Sequence, residues 1–312
     1  MVICTLSLGK LSPGQMTNHI GQITHINFRP IFWLMLKQLI FKEFTQIMPL
    51  NRQRNKKLIA SLMAITASLV VLFPVKSSAN NTPETAPAEL RNLILQIDEA
   101  ASARNLPGVM DFYNVNFTHS DGLTYSTVES TVRDLWRRYP NISYRTNLLS
   151  WSTEGTQIIA ETVTEISGIE KTDNRQFTLT ATVRSRQRYE NQKLIRQDIL
   201  SERIEINSGA NPPKLKINLP EEVRVGERYT FDAIVEEPLG EDQLLGAALE
   251  EPVRVDKYLN PSSLNLELLS AGGIFKVGQA PRVPDNRWIS AVVVRHDGIT
   301  AISQRLRVVG RR

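Results

Sequence analysis

Cysteine is almost absent from this chain of 312 residues, since Cys4 is the only one. The sequence after residue 79 therefore offers no disulfide, no thiolate nucleophile and no cysteine-ligated metal. Histidine is also scarce, and only His119 and His296 follow residue 79. The chain lacks a Gly-rich phosphate loop followed by Lys-Ser/Thr and a G-x-S-x-G elbow, the motifs of P-loop nucleotide binding and of α/β-hydrolase catalysis.

Acidic residues are nearly missing from the N-terminal quarter of the chain. Residues 1–79 hold nine of the 37 Lys and Arg residues, but only Glu43 of the 32 Asp and Glu residues. The rest of the chain therefore carries 28 cations and 31 anions, a net charge of −3. The overall charge of +5 comes from the N-terminal segment. We therefore expect no nucleic-acid partner for the body of the protein.

Residues 48–79 have the three parts of a secretory signal peptide. Four cations at 52–57 precede an almost unbroken apolar run at 58–75, and small residues at 77–79 offer a cleavage site before Asn80. The run is long enough to span a membrane, so an uncleaved anchor stays open, although the flanking residues favour cleavage. We expect an exported protein, periplasmic or extracellular, whose only membrane contact would be an uncleaved 58–75 segment.

Residues 1–47 show no sustained hydrophobic period, and they precede Met48, where a signal peptide would be expected to begin. The sequence therefore favours translation from Met48, with 1–47 as an over-extended N-terminus. A genuine extension or a second hydrophobic segment is the alternative.

Three helices are predicted after a polar spacer at 80–87. The first has apolar residues at helical spacing, namely Leu90, Leu93, Ile94, Ile97 and Ala101. The second covers 106–113. The third begins at Ser126 with Glu129 three residues later, the spacing of a capping box, and ends at Pro140.

The hydrophobic period then changes to two, which is the period of a strand. Between the second and third predicted helices, Asp121-Gly122 predicts the turn of a hairpin over 116–125. Apolar residues from Phe177 to Val183 alternate with Thr and Arg, which indicates a sheet with one buried face. Helices followed by an antiparallel meander indicate an α+β domain. Four β-rich runs are predicted at 141–152, 156–169, 174–190 and 193–207.

A linker is predicted at 208–213, which reads SGANPP, and short strands follow it. Two of the strands flank a turn at 295–298, and the middle of this region, 240–285, has poorly defined strands. About 100 residues of short strands favour an all-β sandwich over 214–312, immunoglobulin-like in architecture only, because the Cys…Trp…Cys signature is missing.

Residues 88–207 resemble the nuclear transport factor 2-like superfamily, which includes ketosteroid isomerase-like and polyketide cyclase-like (SnoaL-like) proteins. The resemblance implies a cone of three helices on a curved antiparallel sheet, with an apolar pocket and often a dimer through the outer sheet face. Enzymes, binding proteins and structural modules share such folds, so the fold alone leaves the activity open. The resembling segments are LRNLILQIDEAASARNLPGVMDFY, FTHSDGLTY, VESTVRDLWRRYP and FTLTATVRSRQRYENQKLIRQDILSERIEI.

An isomerase of this kind needs a base in the pocket and a hydrogen-bond donor for the developing oxyanion. His119 and Asp121 are the base candidates, ahead of Asp111. Each has a plain alternative, because Asp is favoured beside Gly in turns and neutral His is common in half-buried strands. Phe117 and His119 should point the same way along their strand. The pocket candidates are Phe117, His119, Tyr113, Tyr125 and Tyr144.

Three further features favour an ordinary structural role. Arg184, Arg186 and Arg188 project from one strand face, which favours a solvated face over an anion-binding or partner-binding stripe. Trp136, Trp151 and Trp288 are expected to be core residues. No metal is expected, because His119 and His296 lie in different predicted domains.

Three functions from different classes remain open. The sequence favours an exported, non-catalytic binding or scaffolding protein. In that case the cone would dimerise or hold an apolar small molecule, and the sandwich would contact partners. The alternative is an isomerase or cyclase that needs no cofactor and uses His119 or Asp121 as its base. The third is a purely structural subunit of an envelope assembly.

Overall fold

The computed structural model describes residues 81–310, apart from 173–174, 241 and 260–261. The predicted N-terminal extension at 1–47 and the signal or anchor segment at 48–79 lie outside these residues. In the part of the chain that is described, no helix has the length and apolar character needed to cross a membrane.

Helices form a small part of a mostly antiparallel β protein. The first predicted helix is confirmed, with Leu90, Leu93 and Ile94 buried on one face. A 3-10 turn at Pro83–Thr85 precedes it. The helices are α1 (Ala88–Ser102), α2 (Leu106–Met110), α3 (Tyr125–Arg138) and α4 (Val255–Leu259).

The segment between α2 and α3 differs from the sequence prediction. The second helix ends at Met110, and Tyr113 begins strand β1 (Tyr113–His119). Asp121-Gly122 does form a turn, in which the Gly122 N–H donates to the His119 carbonyl at 3.0 Å. The turn leads into α3 rather than into a second strand, so the predicted hairpin at 116–125 is wrong. The partner of β1 is a distant parallel strand, which a local turn signal cannot reveal.

The cap of α3 also differs from the prediction. The capping box joins Thr124 and Thr127 rather than Ser126 and Glu129. Glu129 instead pairs with Arg133 one turn later.

The four predicted β-rich runs form a long antiparallel meander, as expected. In the third strand Phe177, Leu179, Ala181 and Val183 are buried, while the residues between them are exposed. The strands are β2 (Asn141–Glu154), β3 (Gln157–Thr172), β4 (Arg175–Glu190) and β5 (Lys193–Gly209).

The predicted linker at 208–213 contains the last two residues of β5, Ser208 and Gly209, which pair with Ile299 and Gly298. Strands after the linker therefore continue the sheet that comes before it. The large sheet has the order β10-β9-β12-β13-β5-β4-β3-β2, with β1 beside β5 and β7 beside β13. The remaining strands are β6 (Leu215–Asn218), β7 (Glu222–Arg224), β8 (Arg228–Val235), β9 (Leu245–Pro252), β10 (Glu267–Leu268), β11 (Gly273–Gln279), β12 (Asp285–Arg295) and β13 (Gly298–Val309).

A second sheet of three strands, in the order β11-β8-β6, packs on the C-terminal part of the large sheet. Its buried residues, such as Phe231 and Ala233, share a core with Ala291 and Ile302. A larger core lies between the helices and the N-terminal strands. The described residues between 214 and 310 thus lie mostly in strands of two packed sheets, and the larger sheet is shared with the N-terminal region.

Replacing Leu90 by Ala should lower the free energy of unfolding by about 2–5 kcal/mol, because a side chain of α1 that is 1% exposed would leave a cavity. Chemical denaturation measures the change. Leu95→Ala is the matched control on the same helix, since Leu95 is 57% exposed and its loss should cost at most about 0.5 kcal/mol. Equal costs at the two positions would contradict the helix orientation.

Candidate functional site

A small cavity of about 30 Å³ lies between α1 and the inner face of the large sheet. Three aliphatic side chains, Ile94, Ile97 and Leu194, line part of it. Its polar lining consists of Asp98, Tyr113, Thr146, Thr164, Gln187 and Tyr189.

Asp98 brings a carboxyl group from α1 to this cavity. One oxygen accepts from the Thr146 N–H at 2.5 Å, and the other accepts from the Thr146 hydroxyl at 2.7 Å. Burial raises the pKa of Asp98, and the two hydrogen bonds from Thr146 oppose this rise only in part. The cavity therefore contains a carboxyl group that takes up a proton more readily than an exposed one.

Two tyrosines complete the polar lining. The Tyr189 hydroxyl donates to the Gln187 side-chain oxygen at 2.6 Å. Burial raises the pKa of both Tyr113 and Tyr189 well above the ordinary value, so both stay protonated and can act only as neutral hydrogen-bond groups.

A second polar cluster is fully buried where the N-terminal and C-terminal strands meet. The Arg305 guanidinium on β13 donates to both Asp121 carboxylate oxygens, at 2.9 and 2.8 Å, and to a Glu202 oxygen at 2.9 Å. Tyr258 donates to Asp121 at 2.5 Å, and the Trp288 indole donates to Glu202 at 3.0 Å. We call these five residues the Arg305 cluster.

Opposing effects set the protonation states in the Arg305 cluster. Burial alone would raise the pKa of Asp121, but the charge and hydrogen bonds of Arg305 outweigh it and hold that pKa below its usual value. Burial alone would lower the pKa of Arg305, and Glu202 and Asp121 instead raise it. The Asp121–Arg305 contact is therefore an ion pair with bidentate geometry, the strongest common form.

His119 lies beside this cluster in a neutral state. Its Nδ1 accepts the Asp121 N–H at 3.1 Å, so the ring proton is on Nε2. Burial lowers the pKa of His119 to about 4, and the nearby Asp121 charge, 3.7 Å away, opposes this only in part. Among the described residues, its Nε2 finds no hydrogen-bond partner.

The structure separates the residues that the sequence grouped into one pocket. Tyr113 lines the cavity, while the side chains of His119 and Asp121 are enclosed in or beside the Arg305 cluster. Phe117 packs edge-on against Tyr113 with ring centroids 4.9 Å apart. Tyr144 accepts the Trp136 indole N–H at 2.8 Å, and Tyr125 is a half-buried residue at the start of α3. Their roles as site residues stay predictions.

Sequence reasoning missed the residues that organise both sites, although part of the signal was present. Glu202 has the same strand parity as the buried Ile204 and Ile206, whereas β13 is buried at both parities, so alternation does not distinguish Arg305. A charged residue at a buried position of an alternating strand indicates a buried partner. Nothing in the sequence shows that the two residues meet.

The arginine stripe on β4 lies on the outer face of the sheet. Arg184 pairs with Glu161 at 2.7 Å and Arg188 pairs with Glu154 at 2.6 Å. Within residues 81–310 as described, no group of three His, Asp or Glu side chains is arranged to hold a metal ion.

A protein-family profile described as Domain of unknown function (DUF8623) matches residues 210–309. Among curated proteins no match is found. Similar solved structures include Bdellovibrio bacteriovorus Bd1075, which is 17% identical over 36% of this chain and 38% of that one, with a TM-score of 0.26.

Two further structures cover a similar share of this chain. A protein with a ketosteroid isomerase-like fold from Catenulispora acidiphila, solved with trimethylamine, is 13% identical over 38% of this chain and 85% of that one, with a TM-score of 0.26. An LEH-like epoxide hydrolase from M. tuberculosis is 8% identical over 36% of this chain and 80% of that one, with a TM-score of 0.27. The neighbours thus include ketosteroid isomerase-like folds, but likeness at these TM-scores carries no argument about function.

Replacing Arg305 by Met should lower the free energy of unfolding by about 3–5 kcal/mol, because two buried carboxyl groups lose their cation. Thermal and chemical unfolding measure the loss. Arg307→Met is the matched control on the same strand: Arg307 forms an exposed pair with Glu222, worth at most about 1 kcal/mol. Equal losses would contradict the account.

Acid should destabilise the protein between pH 6.5 and pH 4 through His119. The folded state keeps this ring neutral, with a pKa of about 4, while the unfolded chain takes up its proton near pH 6.5. The contribution of His119 to the free energy of unfolding is therefore fully present above about pH 6.5. It is lost as the pH falls toward 4, and the total loss is about 3 kcal/mol.

His119→Gln should flatten this part of the stability profile, measured by urea denaturation at a series of pH values. His296→Gln is the control, because the His296 side chain is 70% exposed, and it should leave the fall in place. A profile that keeps its slope in His119→Gln would show that another group is responsible.

Proposed function

We propose that this chain is an exported, non-catalytic binding or scaffolding protein, built from a nuclear transport factor 2-like part and a C-terminal all-β part. Export rests on the signal-like sequence of 48–79, and the fold assignment rests on the resemblance of 88–207. The observation that carries the non-catalytic proposal is the size of the interior cavity.

A cavity of about 30 Å³ has room for roughly two water molecules. Pockets for organic ligands typically measure about 300–1,000 Å³. Moreover, Asp98, Gln187 and Tyr189 in the cavity lining already have protein partners, namely Thr146 for Asp98 and each other for Gln187 and Tyr189. The geometry therefore favours partner contacts at the surface over an apolar small molecule inside.

The connection between the two parts supports a scaffolding role. Strands β5 and β13 pair directly, and Arg305 joins the two parts through Asp121 and Glu202. A sheet that continues from one part into the other holds surfaces on both at fixed relative positions, which suits a protein that spaces or presents its partners.

The second candidate is a cofactor-independent isomerase or cyclase. The observation that favours it is the raised pKa of Asp98, which lines the cavity. A carboxyl group with a raised pKa, beside neutral tyrosine hydroxyls, has the chemistry of a general base with hydrogen-bond donors. In this candidate Asp98 takes the role for which the sequence offered His119 or Asp121. The substrate would have to be very small or the cavity would have to open.

Native mass spectrometry of the exported protein from its own host tests the main proposal. The expected mass is that of the chain alone, of its oligomer or of a complex with another protein, because the cavity beside Asp98 is too small for an organic ligand. Asp98→Asn, which removes the carboxylate without changing its size, is the control variant. A small-molecule adduct present in the wild type and lost in Asp98→Asn would contradict the proposal.

The two candidates also predict different results with a small ketone. Exchange of the α-protons of hydroxyacetone with deuterated water, followed by NMR, reports a general base that can reach a carbonyl compound. We expect wild type and Asp98→Asn to exchange at the same background rate. An accelerated rate in the wild type that Asp98→Asn reduces about 100-fold or more would favour the isomerase instead.

A further inference from the structure

Strand β11 is an edge strand of the small sheet, which has the order β11-β8-β6. It pairs with β8 over seven residues without a bulge. On the side away from β8, which we call the free edge, it has no strand partner in the described part of the chain. A regular free edge of this length is a template for an added strand.

The hydrogen bonds at the two ends of this strand pair show which main-chain groups of β11 point to the free edge. The Val235 N–H donates to the Gly272 carbonyl at 2.9 Å, and the Ala280 N–H donates to the Glu227 carbonyl at 2.8 Å. Hydrogen-bonded and non-hydrogen-bonded pairs alternate along an antiparallel ladder. The even-numbered residues of β11 therefore bond to β8, and the odd-numbered residues direct their N–H and C=O groups to the free edge.

Two of these odd-numbered residues also have exposed apolar side chains. Phe275 and Val277 are 55% and 61% exposed. They pair with Asp232 and Thr230 of β8, on the face of the small sheet that is turned away from its core. An added strand would therefore cover apolar surface on that face while it satisfies the main-chain groups of the same two residues.

Lys276 places one positive charge between them. It pairs with the buried Phe231, so its side chain lies on the opposite side of the strand from its two apolar neighbours. The side chain is exposed and forms no ion pair with any described residue. In an added antiparallel strand, the residue opposite Lys276 would belong to a non-hydrogen-bonded pair, in which facing side chains are closest. A carboxylate at that position complements the lysine.

The same lysine opposes pairing with a second copy of β11. A two-fold axis that places Phe275 of one copy opposite Val277 of the other also places the two Lys276 side chains opposite each other. The strand reads GIFKVGQ and contains no acidic residue, so no register of such a pair gives Lys276 a carboxylate. Lysine on an edge strand is a common means of preventing self-pairing. The pattern therefore favours a partner with a different sequence.

We propose that the free edge of β11 binds an extended segment of another protein, which joins the small sheet as an antiparallel strand. The segment carries an acidic residue opposite Lys276 and apolar residues on both sides of it, opposite Phe275 and Val277. In such a complex the main-chain hydrogen bonds supply affinity, and the alternating side chains supply specificity. This inference rests on the proposed binding role and deepens it by naming the surface and the chemistry of the partner.

Titration of the exported protein with the acetylated and amidated peptide STVEVTS tests the edge, with amide hydrogen exchange followed by NMR. We expect a dissociation constant below about 1 mM. Saturating peptide should slow exchange of the Phe275 and Val277 amides at least about 10-fold, because their N–H groups gain acceptors. The amides of Ile274 and Lys276, which already bond to β8, should change little.

Charge reversal tests the recognition of Lys276. Lys276→Glu should weaken binding about 10-fold, because like charges then face each other across the two strands. A peptide with Lys in place of Glu should restore binding to this variant, which only a direct contact predicts. Lys216→Glu is the matched control and should leave binding unchanged, since Lys216 is an exposed lysine on β6, at the other edge of the same sheet.

Val277→Pro tests the main-chain pairing. It removes an N–H group that points away from β8, so the sheet should stay intact while peptide binding is lost. Circular dichroism and thermal unfolding check the fold. A peptide that is N-methylated at both Val residues makes the same test on the unaltered protein, and it should not bind.

Three results would overturn the proposal: unchanged exchange of Phe275 and Val277 at millimolar peptide, binding of the N-methylated peptide, or equal binding by Lys276→Glu. A wild-type dimer that Val277→Pro dissociates would also overturn it, because the occupant would then be a second copy. Each of these results leaves the proposed binding role standing. A small-molecule adduct that is lost in Asp98→Asn would instead contradict the proposed function, whatever the peptide does.

Discussion

The bond between Arg305 and its two carboxyl partners is the interaction on which the rest of the structure depends. Asp121 and Glu202 come from the N-terminal part, and their cation, Arg305, lies on the last strand, β13. Since removing one partner of a buried ion pair is costly, neither part can be separated from the other without leaving unpaired buried charge. The pairing of β5 with β13 adds main-chain hydrogen bonds to the same junction.

Local patterns predicted the elements of this fold but not how they meet. The period of two along β4 identified a sheet with one buried face, because alternation is a property of the strand itself. Asp121-Gly122 correctly indicated a turn, yet the partner of β1 is β5, about 80 residues away along the chain. The strand parity of Glu202 marks it as buried, whereas its contact with Arg305 depends on the pairing of β5 with β13. The sequence did not identify Asp98 as a candidate site residue, because a carboxylate on a helix is usually solvated.

The inner face of the large sheet carries several polar side chains beside a small cavity. The polar groups inside are mostly bonded to one another, as in Asp98 with Thr146 and Tyr189 with Gln187, and the space left is that of a few water molecules. Exposed large apolar side chains occur elsewhere on the described surface, among them Leu95 on α1, Leu268 on β10 and Phe275 on β11. The small size of this cavity supports the proposed binding role over the conversion of a small molecule.

The central claim is that the N-terminal and C-terminal parts form one cooperative unit held by Arg305. Native-state hydrogen exchange, followed residue by residue, tests it most directly. Slowly exchanging amides of β5 and β13 should have the same opening free energy, equal to the free energy of global unfolding. In an Arg305 variant, the opening free energies of both strands should decrease by the same amount. Amides of β13 that exchange through a separate opening of lower free energy, while β4 and β5 stay protected, would contradict the account.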